Sequence, residues 1–290
     1  MKAKKKRLGT KAKIRAEKER ERRIATALFT ALIVVIVILS AYFGYTYLNQ
    51  PQEQTINPES TEPKAAIVDQ LSLTFPNKTF IEKATKILEQ VGYKVDYYPG
   101  EKVTVEFYRN LPTHGYKIII LRAHSSATLP GGTETPTVLF TSERYNPSKY
   151  VYEQLTDQLW EVGYSVEDKE KGIVYFGVTP LFVTQSMKGK FENAVIVMMG
   201  CEGLDNPLMA KAFVDKGAKV YISWNQQVSA SHTDLATTHF LKHFLIEKRT
   251  VKEAIQETYK EVGPDPTYKS LLIAYPIEAL DCTIEDIYQQ

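Results

Sequence analysis

An uncharged apolar run is the feature that most constrains this chain. The 25 residues from Ile24 to Leu48 include no Asp, Glu, Lys or Arg. As a helix rising about 1.5 Å per residue, they would span a hydrocarbon core of roughly 30 Å with some tilt. A cleaved signal peptide would have a shorter apolar region followed by a small-x-small site, and no convincing site follows here. We therefore predict a single transmembrane helix over residues 24–48.

The distribution of charge predicts how this helix is oriented. Residues 1–23 contain twelve Lys or Arg and three Glu, whereas the rest of the chain contains 24 basic and 31 acidic residues. An excess of basic residues on one flank marks the cytoplasmic side of a membrane helix. We expect a cytoplasmic tail over residues 1–23, a lipid bilayer around residues 24–48, and an extracytoplasmic remainder. A basic tail can also bind nucleic acid, but beside a membrane helix it is usually an orientation signal, and no nucleic-acid partner is expected.

The remainder divides into a stalk and one domain. Residues 49–64 are rich in Pro, Gln and Glu, which is typical of a flexible linker. Residues 65–290 then alternate between helical and strand patterns, which predicts a doubly wound α/β domain with a mostly parallel sheet. The strongest strand patterns are the apolar runs Tyr116 to Ala123, Ala194 to Met199 and Lys219 to Trp224; helices are predicted at 78–91, 103–111, 150–160, 206–216, 231–247 and 250–262.

Two of these apolar runs end on residues that can carry chemistry. His124 and Ser125 follow the first run, and Gly200, Cys201 and Glu202 follow the second. Ligands bind at the carboxyl ends of parallel strands, so neighbouring strands would bring the imidazole and the thiol to one edge of the sheet. A histidine there can take the thiol proton, and the glycine beside the cysteine can leave backbone amides free for an oxyanion.

This arrangement resembles the caspase-like (clan CD) cysteine peptidases, and its pattern is closest to CHAT-type domains. The likeness covers Tyr93 to Val262 in outline and Ala194 to Phe244 in detail. The detailed part includes the sequence GCEGLDNPLMAKAFVDKGAKVYISW, which begins at Gly200. It implies a peptide or protein substrate and no cofactor. It also implies that His124 is the general base, that Cys201 is the nucleophile, and that the backbone N–H groups of Ser125 and Cys201 form the oxyanion hole.

The resemblance further implies a substrate pocket in the loop after the next strand. Trp224 would form a wall of this pocket, and Asp234 would anchor a Lys or Arg of the substrate, unless Asp234 serves only to start a helix. One position departs from the family: Ser125 stands where a glycine is usual. Its Cβ restricts the backbone and can obstruct a substrate, which weakens the case for peptidase activity more than the case for the fold.

Three functional hypotheses remain open from the sequence. The first is a membrane-anchored cysteine peptidase that forms an acyl-enzyme on Cys201. The second is a catalytically inactive ectodomain of the same fold that binds a peptide or surface protein. The third makes Cys201 and Cys282 a structural disulfide. His239 and His243 are four residues apart on a predicted helix, but the sequence shows no further ligand beside them, so no metal site is assigned.

Overall fold

The computed structural model describes residues 62–128 and 134–288, together with the helical residues Ile33 and Val35–Ser40. The chain forms two units, residues 1–61 and residues 62–290. Most of the predicted tail, transmembrane helix and stalk lies outside the described residues. None of the helices that are described combines the length and the apolar character needed to cross a bilayer.

The second unit is built on a six-stranded, mostly parallel sheet in the order β10-β9-β8-β3-β1-β2, in which only β10 runs antiparallel to its neighbour. This confirms the predicted mixed α/β class with a mostly parallel sheet. Its strands are β1 (Lys64–Asp69), β2 (Lys94–Pro99), β3 (Tyr116–Arg122), β8 (Ala194–Met198), β9 (Ala218–Trp224) and β10 (Leu272–Tyr275).

Helices cover both faces of this sheet. One face carries α2 (Val105–Asn110), α5 (Pro180–Gln185) and α6 (Leu208–Asp215); the other carries α1 (Lys78–Gln90), α7 (Ala230–Leu241), α8 (Val251–Val262) and α9 (Ile284–Tyr288). Strand β8 shows why both faces must be covered, because Ile196 and Met198 pack into one core and Val195 and Val197 into the other. A strand buried on both faces reads as an unbroken apolar run.

A second sheet, which the sequence analysis did not predict, lies beside the first. It is antiparallel, in the order β4-β5-β7-β6, with strands β4 (Ser125–Thr128), β5 (Glu134–Arg144), β6 (Leu159–Val162) and β7 (Tyr175–Val178). The short helices α3 (Val151–Leu155) and α4 (Val166–Glu170) connect these strands. Because β4 starts directly after His124, the chain leaves the main sheet at this residue and enters the second sheet.

Several local predictions differ from the structure. Strand β1 begins at Lys64, the last residue of the predicted stalk, and it was not predicted although it lies inside the sheet. The predicted helix over 150–160 is only α3, since the chain turns at Asp157, whose φ is +55°, and continues as β6. The predicted helix over 231–247 is α7 followed by a π-helical turn, Lys242–Ile246.

Candidate active site

The register of β3 and β8 brings His124 and Cys201 to one edge of the main sheet. Leu121 is paired with Met198 in these neighbouring parallel strands. His124 lies three residues after Leu121, and Cys201 lies three residues after Met198. Both residues are partly buried, and both line the same two cavities. The neighbouring strands therefore place an imidazole and a thiol where two cavities meet.

The two cavities differ in character. The aromatic cavity has a volume of about 420 Å³, and Phe140, Trp160 and Tyr164 line it together with the polar residues Glu202 and Gln227. The apolar cavity has a volume of about 370 Å³, and its lining includes Leu71, Phe75, Met199, Val228 and Tyr268. An extended chain that crosses the His124–Cys201 pair would therefore find side-chain space on both sides.

His124 is held by its backbone and by its ring. Its backbone N–H donates to Gln70 Oε1 at 2.9 Å, and its ring stacks on Tyr164 with 4.9 Å between centroids. Nε2 lies 3.0 Å from Thr74 Oγ1. Burial, and secondly the positive charge of Arg122, lowers the pKa of His124 to about 4. The imidazole is therefore neutral at physiological pH and able to accept a proton.

The thiol of Cys201 is also neutral at rest. Burial raises its pKa; the Val228 backbone partly offsets this effect, and the negative charges of Glu202 and Asp265 raise the pKa further. Sγ lies 3.5 Å from both the N and the O of Val228. No hydrogen bond joins Cys201 to His124 within the described ranges. The resting pair is consequently a thiol and a neutral imidazole rather than a thiolate–imidazolium ion pair.

Gly200 allows the turn after β8 to pack directly on the end of β3. A Cβ at this position would overlap the carbonyl oxygen of Ala123 and the hydroxyl of Ser125. That hydroxyl donates a 2.5 Å hydrogen bond to the carbonyl of Cys201. Among the residues that the structure covers, the backbone N–H of Cys201 donates to no carbonyl oxygen. This amide can therefore donate to an incoming oxyanion.

Glu202 fixes the turn that follows Cys201. Its φ is +57°, a left-handed value that non-glycine residues rarely adopt. Its backbone N–H donates to Gln226 at 2.9 Å, and its carboxylate accepts from the N–H of Ala127 in β4 at 2.7 Å. The second sheet thus stabilises the conformation of the turn at Cys201 and Glu202, called the cysteine turn below. The sequence analysis did not identify this role of Glu202.

The two residues predicted for the substrate pocket lie elsewhere. Trp224 is 1% exposed in β9, donates from Nε1 to Thr233 Oγ1 at 2.9 Å, and lines a separate cavity against α8 and β10. Asp234 is 4% exposed in α7 and accepts two hydrogen bonds from Arg122, at 2.7 and 2.8 Å. Neither is among the residues lining the aromatic or the apolar cavity. Oδ2 of Asp234 also accepts from Asn77 Nδ2 at 2.8 Å, so this buried carboxylate is engaged within the protein.

The proposed disulfide is absent from the structure. Cys201 and Cys282 are both free thiols, and Cys282 lies in the loop before α9. The reading in which these cysteines serve only as a structural bridge is therefore wrong for the described fold.

Several contacts of His124 were missed by sequence analysis. Gln70 and Thr74 lie in the turn after β1, which was not predicted, and Tyr164 belongs to the connection after β6. Gln70 Nε2 also donates to Tyr164 Oη at 2.6 Å, so one short network holds both the backbone and the ring of His124. The only sequence pattern that could have located Gln70 is the short apolar run Ala65 to Val68 directly before it.

Comparisons with known proteins give similar structures but no matching family. No protein-family model matches the chain, and no curated protein matches its sequence. A crystal structure of gingipain R, an Arg-specific cysteine proteinase, is similar with a TM-score of 0.42 and 13% identity over 69% of this chain and 42% of that one. A complex of the pro- and mature domains of Porphyromonas gingivalis RgpB has a TM-score of 0.45 and 12% identity over 77% and 49%. The chain thus spans less than half the length of these structures.

Proposed function

We propose that the protein is a membrane-anchored, caspase-like cysteine peptidase that acts outside the membrane, with Cys201 as nucleophile and His124 as general base. The observation that carries the proposal is the pairing of Leu121 with Met198, which places both residues at the same distance beyond neighbouring parallel strands. The proposed membrane anchor and extracytoplasmic location are supported only by the sequence, by the apolar run over residues 24–48 and the basic residues before it.

The two neutral groups are suited to a proton transfer that begins when substrate binds. If Thr74 Oγ1 accepts from Nε2–H of His124, the Nδ1 lone pair is the one that remains free. Nδ1 then takes the proton of Cys201 as Sγ attacks the peptide carbonyl carbon. The Cys201 amide and the predicted Ser125 amide stabilise the oxyanion. The imidazolium returns the proton to the leaving amine, and a water molecule, deprotonated by His124, hydrolyses the acyl-enzyme.

The cavities define what kind of substrate fits. The scissile bond would lie over the His124–Cys201 pair, with the residue on one side in the aromatic cavity and the residue on the other in the apolar cavity. Asp234 is not part of this binding mode, because its carboxylate is bound to Arg122. The cavity walls favour aromatic or aliphatic side chains over a Lys or Arg anchored on Asp234.

A second function is favoured by the resting state of the pair. The raised pKa of Cys201, the lowered pKa of His124 and the missing hydrogen bond between them would suit an inactive ectodomain that binds a peptide or surface protein without cutting it. In that case the same two cavities would hold an intact peptide. Binding that survives in Cys201→Ala, without cleavage by the wild type, would identify this function.

The test is cleavage of a complex peptide mixture by the full-length chain in detergent, with new peptide termini identified by mass spectrometry. We expect cleavage by the wild type and by the matched control Cys282→Ala, and none by Cys201→Ala or His124→Ala. Equal cleavage by Cys201→Ala would contradict the proposed nucleophile. Peptide binding without cleavage would support the second function instead.

A further inference from the structure

Three side chains with metal-binding atoms converge at the end of α7. His239 lies in the last turn of α7, His243 in the π-helical turn after it, and Glu261 in the last turn of α8. One ligand atom from each lies within 4.8 Å of the other two. Glu261 Oε2 contacts Nδ1 of His239 and lies 3.1 Å from Nε2 of His243. The sequence shows the histidine pair but not the third ligand, because Glu261 lies on another helix.

The π-helical turn contributes to this convergence. A π-helical turn, with i→i+5 hydrogen bonds, is wider than an α-helical turn and changes which side chains share a helix face. Such turns occur frequently at functional sites. Here the turn Lys242–Ile246 contains His243, whose Nε2 lies 3.1 Å from Glu261 of α8. Helix α8 is fixed at its start by a capping box between Thr250 and Glu253. Both supports of the cluster are therefore regular secondary structure rather than loops.

A fourth residue orients His243. Glu247 Oε2 lies 3.0 Å from Nδ1 of His243, and Glu261 Oε2 lies 3.1 Å from its Nε2. If Nδ1–H donates to Glu247, Nε2 presents a lone pair toward a carboxylate oxygen, and this contact is repulsive unless a cation lies between them. A carboxylate behind the distal nitrogen is also the usual support of a metal-bound histidine. The cation is therefore either a second proton on His243 or a metal ion.

We infer that His239, His243 and Glu261 bind one divalent transition-metal ion, with Zn²⁺ the best-matched chemistry. Two imidazoles and one carboxylate suit zinc and exclude a preference for Ca²⁺ or Mg²⁺, which select oxygen ligands. Around tetrahedral zinc, ligands at about 2.0–2.1 Å lie roughly 3.3 Å from each other. The His243–Glu261 separation of 3.1 Å is already close to this value. Solvent supplies the remaining ligand, because about a third of the His239 and Glu261 side chains is exposed.

The bound ion would fasten α8 to the end of α7. The side chain of His243 is only 5% exposed, so this ligand is fixed in the core. The other two ligands, His239 and Glu261, lie on the surface side of the ion. At the other end of α7, Ala230 and Thr233 line the apolar cavity beside Cys201. The site thus stabilises a helix that forms part of the candidate active site, and its existence does not depend on peptidase activity.

The test uses the full-length chain in detergent after removal of metals with EDTA. Titration with Zn²⁺, followed by calorimetry and by thermal unfolding, is expected to show one ion per chain and a rise in Tm. His239→Ala and Glu261→Gln should lose most of the affinity and the Tm shift. Glu247→Gln should lower the affinity by roughly 10–100-fold. Glu257→Gln is the matched control, since it removes a carboxylate from the same helix that hydrogen-bonds to Lys260 and acts on His243 only through its charge.

A second readout separates the metal from a simple ion-pair cluster. Co²⁺ added in place of Zn²⁺ should give a visible absorption band in the wild type and in Glu257→Gln, and none in Glu261→Gln. His239→Ala and Glu261→Gln change partly exposed side chains, so both are expected to fold. Absence of Zn²⁺ binding by the wild type, or equal binding by both ligand variants, would overturn the inference.

Discussion

The hydroxyl of Ser125 donates a 2.5 Å hydrogen bond to the backbone carbonyl of Cys201. This bond joins the start of β4 to the turn after β8, and it engages the side chain that the sequence analysis found in place of an expected glycine. Ser125 is 7% exposed, so its hydroxyl serves within the protein to hold the cysteine turn. The departure from glycine therefore has a structural use that the sequence could not reveal.

Ser125→Ala should lower the free energy of unfolding by about 1 kcal/mol, because the carbonyl of Cys201 loses its donor. Urea unfolding of the two proteins measures the difference. Ser148→Ala is the control, since Ser148 is exposed and should change stability by less than about 0.5 kcal/mol. An equal effect of both substitutions would show that the Ser125 bond contributes no stability.

Stability should rise with pH between about 4 and 6.5 because of His124. Its pKa is about 4 in the folded protein and about 6.5 in the unfolded chain, so within this window the unfolded chain binds the additional proton. The effect can reach about 3 kcal/mol, at 1.36 kcal/mol per pKa unit. Urea unfolding at a series of pH values should show this slope in the wild type and a much smaller one in His124→Asn. The same slope in both proteins would contradict a buried, neutral imidazole.

Cys201 should react slowly with iodoacetamide at pH 6, since burial raises the pKa of its thiol. The rate should rise steeply only above the ordinary thiol pKa of about 8.5. His124→Ala should change the rate little, because the resting pair is not an ion pair. Mass spectrometry of the digest separates Cys201 from Cys282. Fast labelling at pH 6 that depends on His124 would instead demonstrate a thiolate–imidazolium pair at rest.

Arg122→Met should destabilise the protein by about 3–5 kcal/mol, because it leaves the buried carboxylates of Asp69 and Asp234 without their shared cation. Arg144→Met is the matched control, since Arg144 is exposed and its guanidinium lies 4.7 Å from the Tyr175 ring. Thermal and urea unfolding of both variants measure the difference. A loss below about 1 kcal/mol in Arg122→Met would show that the buried triad contributes little.

The sequence was most informative where one strand is buried on both faces. Strands β3, β8 and β9 were predicted because such strands are unbroken apolar runs. The same apolar runs predicted that His124 and Cys201 lie at one edge of the sheet, because the carboxyl ends of parallel strands lie on one side.

The rest depended on contacts between distant parts of the chain. Strands β4 and β6 have four residues each, which is too short for a periodic pattern to identify them. The pairing of Asp234 with Arg122 joins residues 112 positions apart, so the sequence favoured a helix-start or substrate role for the carboxylate instead. Thr74 approaches His124 because β1 pairs with β3 in the main sheet, and Tyr164 approaches it from the second sheet. No local pattern contains this information.

The most direct test of the central claim is covalent capture of Cys201 by peptidyl acyloxymethyl ketones. In this reaction the sulfur displaces the carboxylate leaving group and forms a stable thioether. A set of peptides varying the residue next to the ketone, incubated with the full-length chain in detergent, covers unknown specificity. Mass spectrometry then locates the modified residue.

We predict modification of Cys201 alone, by peptides with an aromatic or aliphatic residue at that position, with Cys282→Ala behaving as the wild type. The adduct should be lost in His124→Ala and after unfolding in urea. No adduct with any peptide, or an adduct at Cys201 that persists unchanged in His124→Ala, would contradict a catalytic pair formed by these two residues.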